Sequence, residues 1–425
     1  MTRESADPGT GGAMSDNTDF TLETIIYLVF GVFMLLLGVL LLKIGTGELS
    51  YNQDSTYGLL LVITSIYVIT TGKTQFGEFS RSRLLVILAF CTAVVGTIAC
   101  LVPGSLSGPV QVLTGLFLLV GGITLFLQLV IAKDKARLWI TIPGILQHLT
   151  IACAFVYLME ILIGLVTLFP GITTVPITAV LCILFGISFF YLAWCVRKVA
   201  LEYPLQVTSA PGATGTRGAD AAGRHFLFRE ATLSTSITLF LMMGMILLII
   251  AILAVPCGLG IISYSYDSQF GLLLVIMALQ VLALGETPFG VRTRSWLLIL
   301  AGLLFAASGM VSCIAPGLLS EFLLLTLLGV WNLIAGCVGL VKIVLPILHN
   351  VRHPPDEPIL IPPIIKKLLI TVTILQLATI VFGLNMLVPG LFSSMVILVL
   401  LFIMSFLIIR VAYIQTILPV PEGSV

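Results

Sequence analysis

The sequence predicts an all-α polytopic membrane protein of about twelve transmembrane helices in two parallel six-helix repeats, and three observations carry that prediction. Hydrophobic residues make up 59% of the 425 residues and charged ones only 9%, more apolar surface than a water-soluble core buries. Apolar stretches of spanning length recur along the whole chain. One 41-residue stretch is written twice, since Gly45 to Leu85 returns 213 residues later with 21 identities.

Residues 1–20 are polar, carry Asp7, Asp16 and Asp19, and lack the basic-then-apolar pattern of a cleaved signal, so they read as a disordered tail. A helix needs roughly 20 apolar residues to cross about 30 Å of hydrocarbon. Ten stretches approach or exceed this, near 22–44, 84–102, 110–132, 144–169, 175–196, 233–256, 297–315, 322–345, 364–388 and 391–412. Two more, 57–72 and 270–285, are short and occupy the same place in each repeat. Without spans there the charged loops that follow fall on the opposite face from their neighbours, so both are read as crossing; re-entrant segments are the alternative. The first repeat covers 21–200 and the second 232–418. Between them lies a Gly/Ala/Thr/Pro-rich linker at 201–231, and 419–425 form a short tail.

The register of the copies extends past the opening stretch. Pro103-Gly104 matches Pro316-Gly317 at the same shift of 213, Gly115 and Gly122 match Gly329 and Gly336, and Pro170-Gly171 matches Pro389-Gly390. These four Pro-Gly pairs predict tight outer turns that close the hairpins of spans 3–4, 5–6, 9–10 and 11–12. Proline ends the helical ladder and glycine takes the reversed backbone of the turn. The first hairpin of each repeat has instead a longer outer loop, 45–56 and 257–269, which holds the repeat-matched acids Asp54 and Asp267.

Of 20 Lys and Arg, 19 fall in the tails, the even-numbered loops or the helix ends beside them, and only Lys43 falls opposite. An excess of Lys and Arg marks the cytoplasmic side, so both termini and every even loop face the cytoplasm. All four histidines fall on that side, and the outer face carries only Glu48, Asp54, Asp267 and Glu321 as acids, so its charge changes little in mild acid.

Helix hairpins that read as an apolar span, a Pro-Gly turn and a glycine-bearing second span (LTGLFLLVGGITLF at 113–126, LLGVWNLIAGCVGL at 327–340) resemble the HdeD-type acid-resistance membrane proteins. Members of that family look like three such hairpins, and this chain looks like two members fused. The resemblance implies a bacterial or archaeal plasma-membrane protein tied to stress at low external pH. It brings no catalytic residue. The duplication, the charged linker and the long first outer loop depart from the family pattern.

Glu160 is the one carboxylate well inside an apolar span. It lies roughly 22 Å into the bilayer at 1.5 Å per residue. A charge there costs several kcal/mol, so the group is protonated, paired or facing water. It is the candidate proton or ligand site, weighed against a neutral carboxyl bonded to a neighbouring helix, and its counterpart in the second repeat is Thr379. Arg81 and Arg294 form a repeat-matched basic pair read as interface anchors, or else as part of a hinge loop with the glycines beside them. Cys100 and Cys313 occupy matching positions, read as packing residues with thiol pairing as the alternative. Intramembrane amides such as Gln111, Asn332 and Asn385 read as glue between helices. His349, His353, Asp356 and Glu357 cluster among prolines and read as a polar loop rather than a metal site.

No phosphate loop, zinc-protease helix or nucleophile elbow is present, so the chain is expected to be no enzyme and to use no cofactor or metal. The lipid bilayer is the expected partner and nucleic acid is not; homo-oligomerisation and a small-molecule or proton substrate stay open. Two functions follow. One is a protective or structural role in acid stress. The other is a proton-coupled secondary transporter with a site between the repeats and Glu160 as its coupling group.

Overall fold

In the computed structural model of the chain, residues 21–70, 83–131, 144–202, 235–283, 286–287, 290–291, 296–352 and 362–417 are described. They form twelve α-helices: α1 Leu22–Gly45, α2 Gln53–Thr70, α3 Arg83–Leu101, α4 Ser107–Ile131, α5 Ile145–Leu168, α6 Val175–Glu202, α7 Thr235–Gly258, α8 Tyr266–Ala283, α9 Trp296–Ile314, α10 Glu321–Arg352, α11 Pro363–Leu387 and α12 Ser394–Ile417. Among the described residues nine helices are long and apolar enough to cross a membrane, with α2, α8 and α9 outside that set. A chain with so many spanning segments is a multi-pass membrane protein. Helices α2 and α8 have 18 residues each, about 27 Å of rise at 1.5 Å per residue.

Three expectations need correcting. The short spans begin earlier than 57 and 270, so Asp54 and Asp267 sit in the first turns of α2 and α8 and not in the loops before them. The cause is a cap the sequence reading passed over. Asn52 Oδ1 accepts the Ser55 amide at 3.1 Å and Ser265 Oγ accepts the Ser268 amide at 3.3 Å, each satisfying an N–H that the first helical turn leaves open. The all-α expectation also omits one short ladder, in which Glu286–Thr287 (β1) pairs antiparallel with Gly290–Val291 (β2).

The third correction concerns neighbours. Helices α3 and α4 are joined through Pro103-Gly104, yet α3 lies along α2 and α4 along α5, and the two barely touch. Small faces decide this. An added Cβ on Gly58 of α2 would meet Gly96 O of α3 at 2.5 Å, and one on Gly164 of α5 would meet Leu119 N of α4 at 2.6 Å. Backbones that approach so closely leave no room for a side chain, and such contacts hold membrane helices together where no hydrophobic drive separates protein from lipid. The C-terminal half repeats the scheme, with α8 along α9 and α10 along α11; α1 packs on α6 as α7 packs on α12.

The four Pro-Gly turns follow α3, α5, α9 and α11, and Gly104, Gly171, Gly317 and Gly390 have φ of 83°, 111°, 82° and 88°, a backbone region that side chains disfavour. Helix α6 runs two residues into the expected linker, to Glu202; the tail 1–20, the linker from 203 on, the C-terminal tail, and Arg81 and Arg294 lie outside the described residues.

Candidate functional site

Where the two halves of the chain meet, two pairs of repeat counterparts meet each other. Helices α1, α2 and α3 face α7, α8 and α9 across this seam. Ser55 Oγ and Ser268 Oγ are 2.8 Å apart, and Cys100 Sγ and Cys313 Sγ are 3.9 Å apart; both pairs are separated by 213 residues. The backbone reciprocates: Asn52 N–H donates to Ile314 O at 3.1 Å, and Ser265 N–H donates to Leu101 O at 3.0 Å. The long first loop of each half therefore reaches over the end of a helix in the other half. That explains why this loop is longer than a Pro-Gly turn.

The serine hydroxyls form a directed chain. A hydroxyl has one proton to give. Ser55 Oγ gives its own to Cys100 O at 2.7 Å, so it accepts from Ser268, which in turn accepts from Ser265 Oγ at 2.8 Å. The thiols lie well beyond the bond length of about 2.05 Å that a disulfide requires, and both are free. Phe33, Met34, Ala93, Met242, Ile246 and Met310 belong to one continuous apolar cluster and are fully buried.

Asp54 and Asp267 secure this end of the bundle. Asp54 Oδ2 accepts the Gly104 amide and the Ser107 hydroxyl, both at 2.7 Å. Asp267 Oδ2 accepts the Gly317 amide at 3.0 Å. Each carboxylate thus ties a Pro-Gly turn to the start of the neighbouring helix, which the repeat spacing alone does not reveal. Near them, Lys43 Nζ bonds Glu48 Oε2 at 2.9 Å. That hydrogen bond and a second from Thr46 hold the Glu48 carboxyl below its usual range. The contact is therefore lost as the pH falls through that lowered value, but an exposed, solvent-screened pair contributes little.

Glu160 lies elsewhere. Its helix, α5, packs on α4 and α6, away from the seam. The carboxyl is half-buried, and its Oε1 sits 3.1 Å from the position a Cβ on Gly121 would take. It has no hydrogen-bond partner among the described residues. Tyr157 lies three residues before it, on the same face of α5. The two aspartates and Glu160 are therefore brought together neither with one another nor into a common pocket.

Of the amides expected to glue helices together, Gln111 bonds a neighbouring helix, Asn332 bonds its own helix and reaches Met277 Sδ of α8 at 3.4 Å, and Asn385 holds the turn that follows its own helix. Gln111 Nε2 donates to Thr167 O at 2.9 Å, Asn332 Nδ2 to Leu328 O at 2.8 Å, and Asn385 Oδ1 accepts the Phe392 amide at 3.1 Å. Among the described residues no three His, Cys, Asp or Glu side chains converge as a metal site would require. The acidic end of the His349–Glu357 cluster and His353 lie outside them. No protein-family model, curated protein or solved structure matches the chain.

Proposed function

We propose that the chain is a non-enzymatic integral protein of a bacterial or archaeal plasma membrane, with twelve spans in two parallel six-helix repeats and both termini in the cytoplasm. Its role is protective or structural when the external pH is low, as the HdeD-type resemblance implies. The observation that carries this reading is the reciprocal seam. Reciprocal contacts, Asn52 with Ile314 and Ser265 with Leu101, are those of a two-fold interface, and serine and cysteine pairs that meet at the same end of their helices support an axis along the membrane normal. A seam filled by buried apolar side chains and closed by hydrogen bonds favours a structural role over an aqueous path between the repeats. The end carrying the Pro-Gly turns has its aspartates engaged as internal acceptors, which suits a face exposed to acid.

The second reading, a proton-coupled transporter, draws on the half-buried carboxyl of Glu160 without a hydrogen-bond partner among the described residues. Its placement within the first repeat argues against a coupling site between the repeats. Acid challenge of a strain lacking the gene tests the first reading. Survival should fall and be restored both by the parent chain and by Glu160→Gln. Equal survival of the deletion and parent strains contradicts a protective role, and failure of Glu160→Gln to restore survival favours the proton-coupled one.

A further inference from the structure

The last hairpin of each repeat carries the same surface position with different chemistry. Pro170-Gly171 and Pro389-Gly390 lie 219 residues apart, and at that shift α5 and α6 match α11 and α12. In the first repeat His148 Nδ1 and Tyr191 OH are 2.8 Å apart and join α5 to α6 on an exposed face. The Tyr191 ring stacks on Trp194 with centroids 5.9 Å apart. The residues that follow the bonded pair, Leu149 and Leu192, are buried. The counterparts of His148, Tyr191 and Trp194 are Lys367, Arg410 and Tyr413. Their setting is the same: Leu368 and Val411, one residue on, are buried in one small cluster with Ile414, while Lys367, Arg410 and Tyr413 are exposed. Where one repeat has a hydrogen-bonded pair, the other therefore brings two cations together.

Like charges set side by side repel each other. The ion pairs among the described residues, Lys43 with Glu48 and Lys198 with Glu202, involve neither cation, and Lys366 adds a third positive charge beside them. Lys366 and Lys367 also sit near the start of α11, where the helix dipole adds to the positive potential. Each cation heads an exposed apolar stripe. Ile370 and Ile374 continue from Lys367 along α11, and Phe406 and Ile403 continue from Arg410 along α12, at spacings of three and four residues that keep to one helix face. We propose that α11 and α12 hold the anionic headgroup of a phospholipid, with Lys367 and Arg410 on its phosphate, Tyr413 beside it and the acyl chains along the two stripes. The planar fork of an arginine suits a phosphate, and basic side chains between spans at headgroup level recognise anionic lipids in this way. At the matching place in the first repeat the imidazole and the phenol bond each other, so the chain has one such site.

Native mass spectrometry of the full-length protein in detergent, offered phosphatidylglycerol or phosphatidylcholine, tests this. The parent chain should keep one phosphatidylglycerol and release phosphatidylcholine. Lys367→His combined with Arg410→Tyr copies the pair of the first repeat, so the hairpin should still form, and retention of phosphatidylglycerol should fall roughly thirtyfold. His148→Lys combined with Tyr191→Arg should raise the number of lipids held to two. Equal retention of the two lipids overturns the proposal, as does unchanged retention when Lys367 and Arg410 are replaced. A site emptied by inorganic phosphate at the concentration of the lipid is one for a free anion, which overturns the phospholipid assignment. The inference rests on the membrane-spanning reading alone, and lipid retention is read separately from acid survival, so the two fail independently.

Discussion

Gly58→Ala should destabilise the protein by roughly 1–3 kcal/mol, and Gly58→Leu should prevent the halves from assembling. The added Cβ would stand 2.5 Å from Gly96 O and 2.6 Å from Cys100 N, both backbone atoms that cannot swing aside. Helix α3 would have to retreat from α2, and with it the Cys100 carbonyl that receives the Ser55 hydroxyl. The counterpart Gly271→Ala, 2.5 Å from Gly309 O, should cost a similar amount. Gly108→Ala is the control, because nothing lies within 4 Å of its Cβ position; it should change stability by no more than about 1 kcal/mol. Thermal unfolding in detergent, followed by the fraction that elutes as a single species, measures all four.

The second large effect separates the two repeat-matched aspartates, which sequence alone treats as equals. Asp54 is 8% exposed and accepts two hydrogen bonds, whereas Asp267 accepts one from the turn, and that one is longer. A hydrogen bond to a charged group contributes about 1.5–3 kcal/mol, and a donor left buried without a partner adds a penalty. Asp54→Ala should therefore cost about twice what Asp267→Ala does, with Asp54→Asn between Asp54→Ala and the parent because its amide oxygen still accepts. Equal losses from the two alanine variants would mean that the turn at Gly104 is not held by Asp54.

These effects depend on different levels of legibility. The duplication, the helix positions and the Pro-Gly stops are local, and the chain spells them out: all twelve helices fall within a few residues of where apolar length puts them, apart from extended ends such as α10, which runs on through Pro346 to Arg352. Neighbour choice is not local. Most of these helices are apolar on every side, so periodicity does not say which face turns toward protein and which toward lipid. The pairing of α2 with α3 and of α4 with α5 comes from glycine faces that meet only in three dimensions. Asp54 was visible as a repeated acid, but its partner is an amide 50 residues away. Glu160 stands out because charge is rare inside a span.

One reason follows for the high identity of the stretch from Gly45 to Leu85 and its copy. A surface that packs against its own counterpart meets every change twice, once from each side of the axis, so hydrogen-bonding residues such as Ser55 and its partner Ser268 have little freedom to diverge separately. The outer faces of α4, α5, α10 and α11 meet no counterpart and have diverged, with Glu160 on one side and Thr379 on the other.

The most direct measurement uses the two thiols at the seam. With the linker cut by a protease site placed in 208–223, brief oxidation by copper phenanthroline removes a proton and an electron from each of Cys100 and Cys313 and joins their sulfurs. Starting 3.9 Å apart, the thiols should hold both halves in one band on a non-reducing gel, and Cys100→Ser or Cys313→Ser should release them. Halves that separate after oxidation of the parent protein would contradict a shared axis, and with it the parallel pairing of the two repeats.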